Sequence, residues 1–135
     1  MAQQFVKPPE NDMPNSILIG APIDEGQRRA GCVMGPAAYR VAGLEAAIAE
    51  LGHGVEDWGD LAPAEVTAAP CPNLAVHDLD RVLGWTQALC DRVDDALSVG
   101  GMPIILGGDH SLALGSVAGL PPLPSARIGP CSCCG

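Results

Sequence analysis

Met102-Pro103-Ile104-Ile105-Leu106-Gly107-Gly108-Asp109-His110-Ser111 is the stretch that decides the fold. A short, nearly continuous apolar run with β-branched residues reads as a strand buried on both faces of a parallel sheet. Here it runs straight into a glycine turn that carries an acid, an imidazole and a hydroxyl. The two glycines permit a tight turn and close backbone approach. Asp109 and His110 are thereby placed at the carboxyl edge of the sheet, where open parallel sheets bind their ligands.

Working outward, Ser16-Ile17-Leu18-Ile19-Gly20 has the same character and reads as a second buried strand. The segment from Ala21 to Gly35 holds Pro22, Gly26, Gly31 and Gly35 with the charges Asp24, Glu25, Arg28 and Arg29, a long loop of the kind that collects function at strand ends. Pro36 suits the first turn of a helix. Ala37, Val41, Leu44, Ile48 and Leu51 then recur at spacings of four and three, which predicts one apolar stripe on a single helix that Gly43 bends and Gly52 or Gly54 stops. Val55 to Leu61 alternates around Trp58 as a further strand, and residues 62–73 are a Pro/Ala loop. Asp78 is the predicted cap of a long helix with Leu79, Val82, Leu83, Leu89, Val93 and Leu97 as its apolar positions, ending at Gly100-Gly101. A short helix from about Ser111 to Ala118 follows. Strand and helix alternate three times, which predicts an α/β fold with a parallel sheet.

Composition narrows the function. The 135 residues suffice for one domain, and 47% hydrophobic with 17% charged residues excludes a disordered chain. Seven Lys and Arg against sixteen Asp and Glu leave a net charge of −9, a poor match to nucleic acid or an anionic membrane surface. Residues 1–15 are polar, proline-bearing and without an apolar signal core, so they read as an extended arm; no apolar run approaches the ~18 residues of a membrane span. A reducing cytoplasm is the default location. Six cysteines form no regular disulfide framework, and three of them (Cys131, Cys133, Cys134) crowd the last five residues. That CxCC cluster reads either as part of a disordered tail or as a soft-metal site, the latter lacking well-spaced ligands. After Asp95 the only charged side chains are Asp109 and Arg127, so the rear of the chain is written like protein interior.

Among chemistry-bearing residues, a neutral imidazole at a strand end is a common ligand for Mn, Zn or Fe, with a neighbouring Asp able to support it by hydrogen bonding. His110 and Asp109 have that arrangement; the plainer reading is a structural turn histidine. His53 and His77 lie near predicted turns and read as solvated, Trp58 and Trp85 as core or rim residues, and nothing near Cys32 marks it as reactive.

Three blocks, ILIGAPIDEGQRRAGCVMGPAAYRVAGL (17–44), VEDWGDL (55–61) and PIILGGDHSLALGSVAG (103–119), together resemble the N-terminal part of the arginases, of the ureohydrolase family. GGDHS is shared across ureohydrolases, and the GQRRAG segment points to arginase within them. The resemblance implies a three-layer α/β/α parallel sheet of the arginase type, truncated here after about three strands, in the order second, first, third. It implies two Mn²⁺ ions bridged by a hydroxide that attacks the guanidinium of L-arginine to give L-ornithine and urea, a two-metal hydrolysis. His110 is the metal ligand it carries over, and Asp109, Gly107, Gly108, Ser111, Gln27, Arg29 and Asp24 become the residues that support that ligand or position the surrounding loops. Homotrimers or hexamers are the family's assemblies.

The DAHxD and DxDxxDP motifs that supply the other ligands do not occur in this sequence. Family-like sequence runs through residues 16–119 and gives way to LPPLPSARIGPCSCCG (120–135), a Pro/Cys-rich tail read as disordered or as the product of a frameshift in an arginase gene. The expectation is therefore a truncated, inactive arginase fragment with no catalytic residue of its own. The alternatives are a fragment of an agmatinase or other guanidino hydrolase, and a non-catalytic module pairing with another chain through its open sheet edge. Ile104, Ile105 and Leu106 are expected to form that exposed apolar edge.

Overall fold

A computed structural model describes residues 14–27, 31–71, 73 and 77–121; Arg28, Arg29 and residues 122–135 of the predicted tail lie outside the described residues. Three parallel strands, β1 (Ser16–Ala21), β2 (Val55–Asp60) and β3 (Met102–Gly107), form a sheet in the order β2-β1-β3. β1 lies at the centre because every one of its residues is apolar or small, and all six are buried. β2 reads E-D-W-G-D through its middle and end and stays largely exposed, as suits an edge strand.

The sheet is covered on both faces. Alternation along the strands sends Ile17, Ile19, Ala21 and Ile105 to one side, where they meet Trp85, Leu89 and Ala96 of α3 (Leu79–Ser98). Ile104 and Leu106 point to the other side, towards Tyr39 of α1 (Gly35–Val41) and Leu44 of α2 (Leu44–Glu50). A final helix, α4 (Leu112–Ala118), packs on α3. Gly115 makes that contact close, since a Cβ there would sit 2.6 Å from the carbonyl oxygen of Thr86 and 2.7 Å from the Leu89 Cβ.

Several local expectations need correcting. The single helix predicted from Pro36 to Leu51 is two helices of seven residues each, broken at Ala42-Gly43 with Gly43 in the left-handed region at φ 82. That reversal resets the helical phase, so the i, i+4, i+7 stripe no longer lies on one face; Val41 is 90% exposed and Leu51 76%. On α3 the buried stripe is Gly84, Trp85, Leu89, Val93 and Ala96, whereas Leu83 is exposed. Small residues take core positions there because the helix lies close to its neighbours: a Cβ on Gly84 would collide with the Ala64 carbonyl. Asp78 precedes α3 with φ 50 and makes no side-chain capping bond. Leu106 is buried at 3% exposure, and Ile104 and Ile105 are half-buried. Among the described residues, what β3 leaves open is therefore its backbone edge more than its side chains.

The far side of the sheet is tied by charge. Arg40 of α1 donates from Nε and Nη2 to both carboxylate oxygens of Asp57 (2.6 and 2.9 Å) and from Nη1 to Asp60 (2.5 Å). The Arg40 hydrogen bonds hold the Asp57 carboxyl below the usual carboxylate range, outweighing the opposing effect of burial. Trp58 packs against the core and carries Arg92 over its ring at 5.4 Å.

Candidate functional site

The loops leaving β1 and β3 meet at the carboxyl end of the sheet. Backbone bonds continue the β1–β3 ladder beyond the strands: the Gly108 N–H donates to the Ala21 carbonyl (3.2 Å) and the Asp109 N–H to the Ile23 carbonyl (3.0 Å). Gly108 has no alternative at this point, because a Cβ would overlap the Ile23 carbonyl oxygen and approach that of Cys32 to 3.0 Å. Ile23 itself is fully buried and anchors the first loop in the core.

Asp109 fastens the two loops together. It is 5% exposed, and each carboxylate oxygen accepts two hydrogen bonds. Oδ2 takes the Gly26 N–H (2.7 Å) and the Gln27 N–H (3.0 Å); Oδ1 takes the Ser111 N–H (2.8 Å) and hydroxyl (2.6 Å). Burial alone would raise this carboxyl's pKa. The bonds from the Ser111 hydroxyl and from the Ser111, Gln27 and Gly26 amides more than offset it, so the pKa lies below its ordinary value. Ser111 consequently spends its hydroxyl on Asp109 and does not cap α4.

A second acid holds the same loop from the opposite side. Glu25, which sequence reasoning passed over as a site residue, accepts from Arg81 Nε (2.9 Å) and the Trp85 indole N–H (3.1 Å) on α3, and from the Asp24 N–H (3.2 Å). Asp24 closes the loop by accepting the Gln27 N–H at its carbonyl (3.3 Å). Gln27 is exposed, so its contribution to the loop is made through its backbone amide.

His110 sits at the tip of the β3–α4 turn with an exposed ring, and its carbonyl accepts the Ala113 N–H (3.1 Å). With Tyr39, Leu44, Gly107, Asp109 and Leu112 it lines a groove of about 580 Å³ along the open side of β3. Tyr39 was hidden in the sequence because the helical stripe drawn through Ala37, Val41 and Leu44 skips it. Among the described residues the donor set fits poorly with a pair of dications. Both Asp109 oxygens are committed to protein donors, and among the described residues no group of three or more His, Cys, Asp or Glu side chains could hold a metal ion. Also among the described residues, no helix is long and apolar enough to cross a membrane.

Parallel strands whose carboxyl-end loops are zipped around a buried acid and present an imidazole define an open parallel α/β protein, a class in which ligands commonly bind beyond the strand ends. The sequence matches the arginase family over residues 14–123, and on that extent the chain belongs to the arginase family. It is 40% identical over 111 residues to the arginase of Agrobacterium fabrum, covering 82% of this chain and 34% of that protein. To the arginase of Brucella melitensis it is 45% identical over 103 residues, covering 76% and 33%. Among solved structures, the arginase from Bacillus caldovelox superposes with a TM-score of 0.70 at 35% identity, covering 80% of this chain and 36% of that one. The chain thus spans about a third of the length of the relatives it matches. Their fold accounts for the parallel α/β sheet seen here.

Proposed function

We propose that these residues are the N-terminal third of a manganese-dependent hydrolase acting on the guanidinium group of L-arginine, releasing urea and L-ornithine. The observation that carries the reading is the family match together with GGDHS standing at the carboxyl end of β3, with its Asp buried in the loop junction and its His turned outward. In this assignment His110 is offered as one ligand to a metal centre, and Gly107, Gly108, Asp109, Ser111, Asp24 and Gln27 shape the loops that present it. Arg29, on the same loop, is assigned with them. The GQRRAG segment favours arginine over agmatine as substrate. A reducing cytoplasmic setting is in keeping with the free thiols of Cys32, Cys71 and Cys90.

By themselves the 135 residues are expected to be inactive. One neutral imidazole cannot offset the charge of two dications or set their separation, and a centre that lacks most of its ligands has no preformed geometry. Incubation of the purified chain with Mn²⁺ and L-arginine is therefore expected to release no urea beyond that of a His110→Ala control. Urea formation clearly above that control would show that this chain assembles a working centre.

A further inference from the structure

The turn at residues 24–27 is gripped by two acids from opposite sides, and both grips close on its backbone. Asp109 Oδ2 accepts the Gly26 and Gln27 N–H groups, and Glu25 Oε2 accepts the Asp24 N–H. The two carboxylates differ in what stands behind them. Asp109 belongs to the turn that carries His110, whereas Glu25 reaches across to α3, where Oε1 meets Arg81 and Oε2 the Trp85 indole N–H. Arg81 is 60% exposed, so its ion pair contributes little. Trp85 is 4% exposed and packs with Ala21, Ile23 and Leu89, so its indole N–H sits on a rigid mount and is costly to leave without an acceptor.

Between the two acids there is no slack. A Cβ on Gly26 would lie 3.0 Å from both Asp109 carboxylate oxygens and from the Ser111 Cβ, so the 24–27 turn rests directly against the residues on either side of His110. Asp109 Oδ1 in turn holds the Ser111 N–H and hydroxyl. The His110 ring is exposed, and the backbone between Asp109 and Ser111 sets its direction.

We propose that Glu25 is a positioning residue: by tethering the 24–27 turn to the Trp85 indole, it fixes the Asp109 carboxylate and with it the direction of His110. The proposal rests on the reading of His110 as a residue of the reaction site. Glu25 acts through a chain of contacts, from α3 to its own carboxylate, from there to the turn, from the Gly26 and Gln27 amides to Asp109, and from Asp109 to the backbone on both sides of His110. Every one of these contacts joins residues that the family match covers. Substitution separates the two bonds that Glu25 makes to α3. Glu25→Gln keeps an amide oxygen able to accept from both Trp85 and Asp24 and turns its NH2 towards Arg81, which can swing into water. Glu25→Ala keeps neither bond.

The test is backbone ¹⁵N relaxation on the full 135-residue chain, which reads the motion of folded molecules and not their overall stability. Order parameters at Gly26, Gln27 and His110 are expected near the rigid value of about 0.85 with Glu25 in place, and to fall to about 0.6 or below in Glu25→Ala. Glu25→Gln should restore them, and the amides of α2, on the other face of the sheet, should stay rigid throughout. Trp85→Phe, which removes the donor and keeps a ring in the core, should loosen the same amides as Glu25→Ala. With residues 14–123 of this chain in place of the matching third of the Agrobacterium fabrum arginase, kcat per folded molecule should fall at least about fivefold in Glu25→Ala and recover in Glu25→Gln. Rigid loop amides in Glu25→Ala, loosened Gly26 and Gln27 with His110 unmoved, or an unchanged kcat in an active hybrid would each overturn the proposal. So would a Glu25→Gln variant as loose as Glu25→Ala, which would put the hold in the Arg81 ion pair. A hybrid that makes no urea with Glu25 in place would contradict the hydrolase reading instead, and the relaxation result then decides the tether by itself.

Discussion

Replacing Asp109 by alanine is expected to destabilise the fold by about 2–4 kcal/mol, because the backbone N–H groups of Gly26, Gln27 and Ser111 lose a shared, charged acceptor at once. For a domain of this size such a loss lowers the unfolding midpoint by on the order of 10–20 °C. Asp109→Asn is the sharper variant. It keeps the shape of the carboxylate but turns one acceptor into a donor, which must then face either the Gly26 and Gln27 amides or Ser111. It should therefore lose most of the same stability despite its near-identical volume. Thermal unfolding of both variants checks the size of the effect, and exchange of the Gly26 and Gln27 amides checks its place. Retention of the wild-type midpoint in Asp109→Asn would mean that the loops do not depend on this carboxylate.

Leu89→Ala is expected to be at least as damaging, at about 3–5 kcal/mol. Leu89 is fully buried, packs with Ala21, Ile23 and Trp85, and lies under the close contact between α3 and Gly115 of α4. Truncation opens a cavity beneath two elements whose backbones are already held apart by little more than a glycine, so collapse into the space is restricted. Leu89→Met keeps the volume and should cost under about 1.5 kcal/mol. Denaturant midpoints for the pair measure the difference; equal midpoints would show that α3 does not seal this face of the sheet. Because small domains rest on about 5–15 kcal/mol, either damaging substitution consumes a large share of the total.

What the sequence disclosed followed from local chemistry. β1 and β3 were legible because Ile17 to Ile19 and Ile104 to Leu106 are runs that only a doubly covered strand accommodates, and the turn was legible because two glycines precede the acid. The helix after Pro36 was misread as continuous, since periodicity counts residues and cannot register the phase change that a left-handed Gly43 introduces. Trp85, which the sequence allows as core or rim, is core, with its indole N–H satisfied by Glu25.

The site was harder to read than the fold. His110 and Asp109 stood out through their motif, but Gly26 and Gln27 lie 83 and 82 residues from Asp109, and Arg81 and Trp85 lie 56 and 60 residues from Glu25, and no spacing rule links such positions. The sequence marks Asp109 as a support for its neighbouring His; its bonds in the fold go to loop amides and a serine. Its low pKa belongs to that junction.

The most direct test of the central claim is a graft. Residues 14–123 of this chain would replace the matching third of the Agrobacterium fabrum arginase, to which the chain is 40% identical, and urea release from L-arginine with Mn²⁺ would be measured with and without His110→Ala. If this segment is the arginase N-terminal third, the graft makes urea and His110→Ala reduces its rate at least tenfold with the fold intact. A well-folded graft that makes no urea, or one whose rate His110→Ala leaves unchanged, would contradict the account.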